Sequence, residues 1–216
     1  MLTKEEFQEK IKEGFHILDG ATGSNLRNAG MPRGCCTEQW VLEHPDPLVA
    51  LQRAYAEAGA DAIFLGDDVG MQHTIMMSVG LYEEWLMPRL KRVIDEAKAI
   101  NPDVVIFYHS CGRGTELIPS LIKAGIDVLD PVQPETMDFR QLHEMYGNKL
   151  SFHGTLGTQS VMPFGTPEDV RRTVFENLDI AGEKGGLFVC PTHLLEPEVP
   201  VENVIAYIKA CADYTK

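Results

Sequence analysis

Short apolar runs recur along the chain, each closed by Gly, Asp or His and followed by a stretch whose apolar residues recur at helical spacing. The runs fall at 15–18, 62–65, 104–108, 128–129, 150–152 and 187–189, and they predict six strands. The helical stretches fall at about 45–58, 80–99, 115–124, 138–146, 167–183 and 201–214. Strands that are continuously apolar, alternating with helices, predict a parallel sheet covered by helices. The polar clusters DGATG, GDD, HSCG, HGTLG and CPTH come just after strands. Parallel α/β folds bind ligands at the carboxyl ends of their strands, so five such clusters predict a barrel mouth rather than a flat sheet. The expected class is α/β, of the (β/α) TIM-barrel type. A complete barrel has eight strands in roughly 250 residues. Six units in 216 residues therefore predict an apparently truncated barrel, or one that two chains complete together. No repeat, linker or low-complexity segment divides residues 1–216, so one domain is expected.

Charge narrows the partners. The chain carries 32 acidic against 19 basic side chains, a formal net charge of -13, which repels phosphate backbones and argues against nucleic acid. No stretch reaches the roughly 18 apolar residues of a membrane span. Residues 1–15 read as a charged amphipathic helix rather than a signal peptide. The five cysteines are odd in number and lack disulfide-like spacing, which points to a reducing cytoplasm with thiols free for metal or catalysis.

The sharpest local chemistry is His109-Ser-Cys111 at a predicted strand end. Residues i and i+2 of a strand point the same way, so imidazole and thiolate can grip one ion. Zinc takes nitrogen and sulfur ligands tetrahedrally, and a catalytic site leaves one position open. A third ligand would come from the last strand end, as His193 or, second in preference, Cys190. The alternative is a metal-free polar strand end satisfied by internal hydrogen bonds. Asp67 and Asp68 follow the second strand, with Gln72 one helical turn later. Those carboxylates can orient a substrate, share a proton or assist a metal, or one of them caps a helix or pairs with an Arg. His153 is expected to line the same mouth as a catalytic hydrogen-bonding residue, with Gln133 and Gln159 as polar substrate contacts. His16, His44 and His143 read as surface or packing residues, and the Met-rich 71–77 stretch as flexible packing.

Two resemblances follow from longer motifs. ILDGATGSNLRNAGMP (17–32), CTEQWVLEHPD (36–46) and LQRAYAEAGADAI (51–63) resemble the start of the homocysteine S-methyltransferase family. The resemblance implies that Asp19, Gly20, Ala21, Thr22 and Glu38 hold the amino-acid end of homocysteine; otherwise the turn only caps a helix. That family's Gly-Gly-Cys-Cys zinc motif lies late in its chains, so Cys35-Cys36 is expected to be a pair of ordinary thiols. FLGDDVGMQHTIMMS (64–78), the 107–133 segment from FYHSCG to DPVQ, FHGTLGTQ (152–159), GTPEDVRRTV (165–174) and GGLFVCPTH with its continuation (185–210) resemble the uroporphyrinogen decarboxylase superfamily. The nearer branch is its cobalamin-linked methyltransferases. This divides the chain into a homocysteine methyltransferase-like head (1–62) and a decarboxylase-like tail (55–216). In the zinc methyltransferases of that superfamily a cysteine sits about where His193 falls here.

The resemblances imply a zinc-activated methyltransferase that moves a methyl group between a corrinoid or other donor and a thiol such as homocysteine or coenzyme M. The implied donor is a methylcobamide on a separate corrinoid protein. Two alternatives stand beside this. One is a decarboxylase acting on a porphyrinogen-like tetra-acid, for which Arg113 is the one cation expected near the mouth. The other is a non-catalytic fusion remnant or binding subunit. Open sheet edges further predict a homo-oligomer.

Overall fold

The computed structural model describes residues 22–214, so the predicted strand at 15–18, and Asp19, Gly20, Ala21 and His16, lie outside the described residues. Among the described residues three helices come first: α1 (Thr22–Asn28), α2 (Thr37–Glu43) and α3 (Pro45–Glu57). Strands and helices then alternate as β1 (Ala62–Gly66), α4 (Val79–Trp85), α5 (Met87–Ile100), β2 (Val105–His109), α6 (Ile118–Ala124) and β3 (Val128–Val132). They continue as α7 (Phe139–Tyr146), β4 (Ser151–Leu156), α8 (Val161–Phe164), α9 (Pro167–Ala181), β5 (Leu187–Pro191) and α10 (Val201–Asp213). All four strand pairings are parallel, and the spatial order is the chain order, β1-β2-β3-β4-β5. Each crossover therefore moves to the next strand in the same sense. That is the winding of a (β/α) barrel; a doubly wound sheet would reverse direction at a switch point.

Local sequence sets the helix boundaries. Ser78 accepts the Leu81 N–H at the start of α4, and Asp138 accepts the Gln141 N–H at the start of α7. Thr166 and Asp169 form a reciprocal capping box ahead of Pro167 in α9. Pro88 lies in the first turn of α5, where its missing N–H costs nothing. It splits the predicted helix at 80–99 into α4 and α5. The segment 67–78 is a loop pinned by antiparallel bridges Gly70↔Ile75 and Met71↔Arg113, not the start of a helix, so Gln72 does not sit a helical turn beyond Asp68. Strands β3 and β4 run on to Val132 and Leu156, beyond the predicted ends at 129 and 152.

The two faces of the sheet differ. Ile63, Leu65, Ile106, Tyr108, Leu129 and Phe152 point to the helix-covered side and belong to the main core with Ile94, Ile118 and Leu121. On the other side Phe64 stacks on Phe107, with ring centroids 5.7 Å apart, and Phe107 meets Phe188 at 5.6 Å. In a closed barrel such inward residues are the filled interior, yet Phe64 stays 41% exposed here. A second core joins Leu156, Met162, Val170, Val174, Val199 and Ala210 between α9 and α10. Among the described residues, no helix is long and apolar enough to cross a membrane.

Candidate metal centre

His109 is the last residue of β2, Cys111 lies two residues on, and His193 follows β5 by two residues. One ligand atom from each lies within 4.8 Å of the others. His109 Nε2 is 3.4 Å from the Cys111 sulfur, and the His109 and His193 rings are 6.2 Å apart. His109 directs Nδ1 at Asp130 Oδ2, 2.5 Å away. Donating the Nδ1 proton there leaves Nε2 as the lone-pair nitrogen facing the cluster, the tautomer that binds metal.

Asp130 is paired with His109 across β2 and β3, and its residue is only 4% exposed. Its other oxygen meets His153 Nδ1, also at 2.5 Å. Burial alone would raise the Asp130 pKa, but the two histidine hydrogen bonds outweigh it and hold the carboxyl below its usual range. The Asp130 hydrogen bond raises His109 above an ordinary histidine, against the opposing effect of burial. Burial also works against a charged His153, but the hydrogen bonds to Asp130 and Cys190 push it up to about 10. Cys111 is raised by burial first, then by the Asp68 and Asp130 charges.

Backbone contacts fix the Cys111 loop. The Cys111 N–H donates to Asp68 Oδ1 at 2.9 Å, and the Gly112 N–H donates to Gln133 Oε1 at 3.1 Å. Gly70 and Gly112 touch: a Cβ on Gly70 would lie 2.5 Å from the Cys111 carbonyl oxygen, and one on Gly112 would lie 2.8 Å from that of Met71. Gly112 also has φ +82°, which L side chains rarely adopt. Across the mouth, Thr192 Oγ1 accepts the Thr158 N–H at 3.3 Å, tying the end of β5 to the loop after β4. A cavity of about 260 Å³ opens here, lined by Cys111, Gln133, Gln159, Thr192, His193 and Glu196 among others.

Other expected site residues fall differently. Asp68 lies 3.9 Å from His109 Nε2 and caps no helix. Asp67 faces away: the buried Tyr108 hydroxyl donates to its carboxylate, and Tyr82 donates to Tyr108. Burial raises both phenols, so they stay neutral donors. Gln72 donates to Gln159 at 3.4 Å at the rim, while the Gln133 side-chain oxygen holds the Gly112 N–H. Cys190, the second choice as ligand, places its sulfur 3.2 Å from His153 Nε2, and it stands outside the cluster formed by His109, Cys111 and His193. Cys35 and Cys36 are exposed, far along the chain from that cluster. Thr22 opens α1, and Glu38 lies in α2. Arg113 is paired with Glu116 at 2.8 Å. His44 is exposed against Trp40, and His143 is half-buried against Phe139 and Phe152. Asp130 escaped the sequence reading. Its signal was a carboxylate inside an apolar run, between two histidine-bearing strands.

Residues 45–214 match the family model described as uroporphyrinogen decarboxylase (URO-D). A methylated-thiol–coenzyme M methyltransferase from Methanosarcina mazei is 30% identical over 172 residues, which are 78% of this chain and 42% of that protein. A uroporphyrinogen decarboxylase from Hordeum vulgare is 24% identical over 154 residues, 71% of this chain and 44% of that one. The chain thus spans less than half the length of these curated relatives. Among solved structures, a methyltransferase from Methanosarcina mazei superposes with a TM-score of 0.65 at 21% identity, covering 95% of this chain and 61% of that one. The metallated form of a homocysteine methyltransferase from Escherichia coli superposes with a TM-score of 0.52 at 14% identity, covering 85% of this chain and 77% of that one.

Proposed function

We propose metal-assisted methyl transfer involving a small thiol for this chain, which belongs to the uroporphyrinogen decarboxylase family. The observation that carries the proposal is the convergence of His109, Cys111 and His193 on one point at the carboxyl ends of the strands. Two imidazoles and a thiolate suit zinc, and three protein ligands leave a fourth tetrahedral position. The donor set fits before any ion is added, because Asp130 already orients His109 and two hydrogen bonds fix the Cys111 loop. When bound, zinc would supply the Lewis acidity that lowers a substrate thiol's pKa.

The chain's own residues do the rest. Asp130 keeps the His109 Nδ1 proton in place, so that Nε2 remains a donor atom. Cys111 must lose its proton to serve as a ligand. Gln159, Thr192 and Glu196 line the cavity where the substrate's polar end would sit. At about 260 Å³ the cavity suits a small thiol such as homocysteine or coenzyme M; pockets that take drug-sized ligands run to roughly 300–1,000 Å³. Transfer is an in-line displacement, so positioning contributes most of what the protein supplies. The proposed donor is a methylcobamide on a separate corrinoid protein. A reducing cytoplasm keeps the ligand thiol free. Decarboxylation of a polyacid is less well supported: the described cavity lining carries Glu196 and no Lys or Arg, and Arg113 is paired with Glu116.

Metal analysis of folded, tag-free protein tests the proposal. About one zinc per chain is expected. Cys111→Ser should lose it and any thiol methylation while keeping the fold, and Cys35→Ser or Cys36→Ser should keep it. Full zinc in Cys111→Ser, or its loss in Cys35→Ser, would overturn the assignment.

A further inference from the structure

The cavity beside the proposed metal ligands is acidic. Cys111 and His193 line it, and so does Glu196, three residues beyond His193. The Val199 N–H donates to the Glu196 carbonyl at 3.0 Å and fixes the backbone there. Among the described residues, the Glu196 carboxylate takes part in no ion pair or hydrogen bond. Other polar groups of the lining are engaged: Gln133 Oε1 holds the Gly112 N–H, Gln159 Oε1 accepts from Gln72, and Thr192 Oγ1 accepts the Thr158 N–H. A second carboxylate, Asp68, stands 3.9 Å from His109 Nε2, with no Lys or Arg paired to it among the described residues. The described lining holds no Lys or Arg, and Arg113 is paired with Glu116. Two imidazoles and one thiolate leave a bound zinc ion one positive charge, which a substrate thiolate cancels. The far end of such a substrate then meets the Glu196 charge with no described cation to offset it.

We propose that the thiol substrate carries a protonated amine and no acid group, and that Glu196 receives the ammonium while the sulfur takes the open metal position. The assignment rests on the proposed thiol chemistry and narrows it. Size admits homocysteine and coenzyme M, but charge selects against their carboxylate and sulfonate. An ammonium beside Glu196 is attracted, a hydroxyl is indifferent, and a sulfonate is repelled. The net charge of -13 adds to the same field. Glu196 thus acts on the end of the substrate remote from the reacting sulfur, and sets which thiol binds.

The test titrates the zinc-loaded full chain, by calorimetry, with cysteamine, 2-mercaptoethanol and coenzyme M. These share a two-carbon spacer and end in an ammonium, a hydroxyl and a sulfonate. Affinity should fall in that order by about fivefold per step, and the spread should shrink at about 1 M salt. Glu196→Gln should weaken cysteamine about fivefold, strengthen coenzyme M by a similar factor and leave 2-mercaptoethanol unchanged. Comparing the two proteins cancels the thiols' own acidities. Coenzyme M binding the unaltered chain as tightly as cysteamine would overturn the proposal. So would a preference for cysteamine that survives in Glu196→Gln, which would put the amine on the metal instead. If Glu196→Gln does not fold, the order in the unaltered chain decides. Binding of 2-mercaptoethanol to the zinc-loaded but not the chelator-treated chain tests the thiol reading separately. Without that binding the thiol reading falls and takes this one with it; with it, a wrong order of the three thiols defeats the charge assignment alone.

Discussion

Asp130 holds two imidazoles on one buried carboxylate, and that arrangement would govern how the proposed metal site meets protons. His109 is raised above an ordinary histidine by this hydrogen bond, and Cys111 is raised by burial and nearby carboxylates. Both must be deprotonated to bind zinc. Zinc binding near neutral pH is therefore expected to release more than one proton on average, and affinity should rise with pH through that range. Calorimetry in buffers of different ionisation heat would count the protons. In Asp130→Asn the His109 pKa should fall toward its ordinary value, fewer protons should be released, and zinc should bind roughly 10- to 100-fold more weakly. Unchanged affinity would remove Asp130 from the site. His109 and Cys111 were legible in sequence because i, i+2 spacing on a strand has one geometric meaning. Asp130 was not, since its partners sit on the strands to either side and only the register brings them together. Asp67 misled for a related reason: its neighbour Asp68 faces His109, while its own carboxylate receives a buried tyrosine.

Helix α9 shows how much a single end can carry. Thr166 and Asp169 satisfy each other's backbone N–H groups, and the Asp169 carboxyl is held at about 2 by the Thr166 backbone and hydroxyl, with help from Arg172. A carboxyl whose folded pKa is depressed stabilises fully above its unfolded pKa and loses that contribution as pH falls through the folded one. Thr166→Ala should cost about 1 kcal/mol at neutral pH. Urea melts should show the gap from the unaltered protein narrowing as pH drops below about 4 toward 2. A gap independent of pH would mean the cap works through packing alone. Strand starts were readable from apolar runs, but strand ends were not. In β3 and β4 the later residues include Asp130 and His153, polar groups facing the open side, and they broke the apolar signature while the backbone kept its ladder. The predicted helix at 80–99 failed at Pro88 for a reason local to the backbone.

Among the described residues, apolar surface is exposed on the open face of the sheet and along α10, as well as at scattered single positions. Phe64, Phe107 and Phe188 line the open face of the sheet. Val201, Ile205 and Ile208 point outward along α10 at helical spacing. Exposed patches of this kind drive association. We expect light scattering at micromolar concentration to find oligomers, and Ile205→Glu with Ile208→Glu to shift them toward monomers without loss of a cooperative melt. A clean monomer before substitution would show that these surfaces are tolerated alone. Class and winding were legible at this scale, because strand–helix alternation dictates a parallel sheet. Of the six strands expected, five lie within the described residues, and the sixth, at 15–18, lies outside them. The contact of Gly70 with Gly112 carries a consequence for how this molecule can change. It acts as a weld between two loops, made of backbone alone, and with the Asp68 and Gln133 hydrogen bonds it leaves the side chains of residues 72–76 no part in holding Cys111. Residues 72–76 can therefore be substituted while the Cys111 sulfur stays where it is.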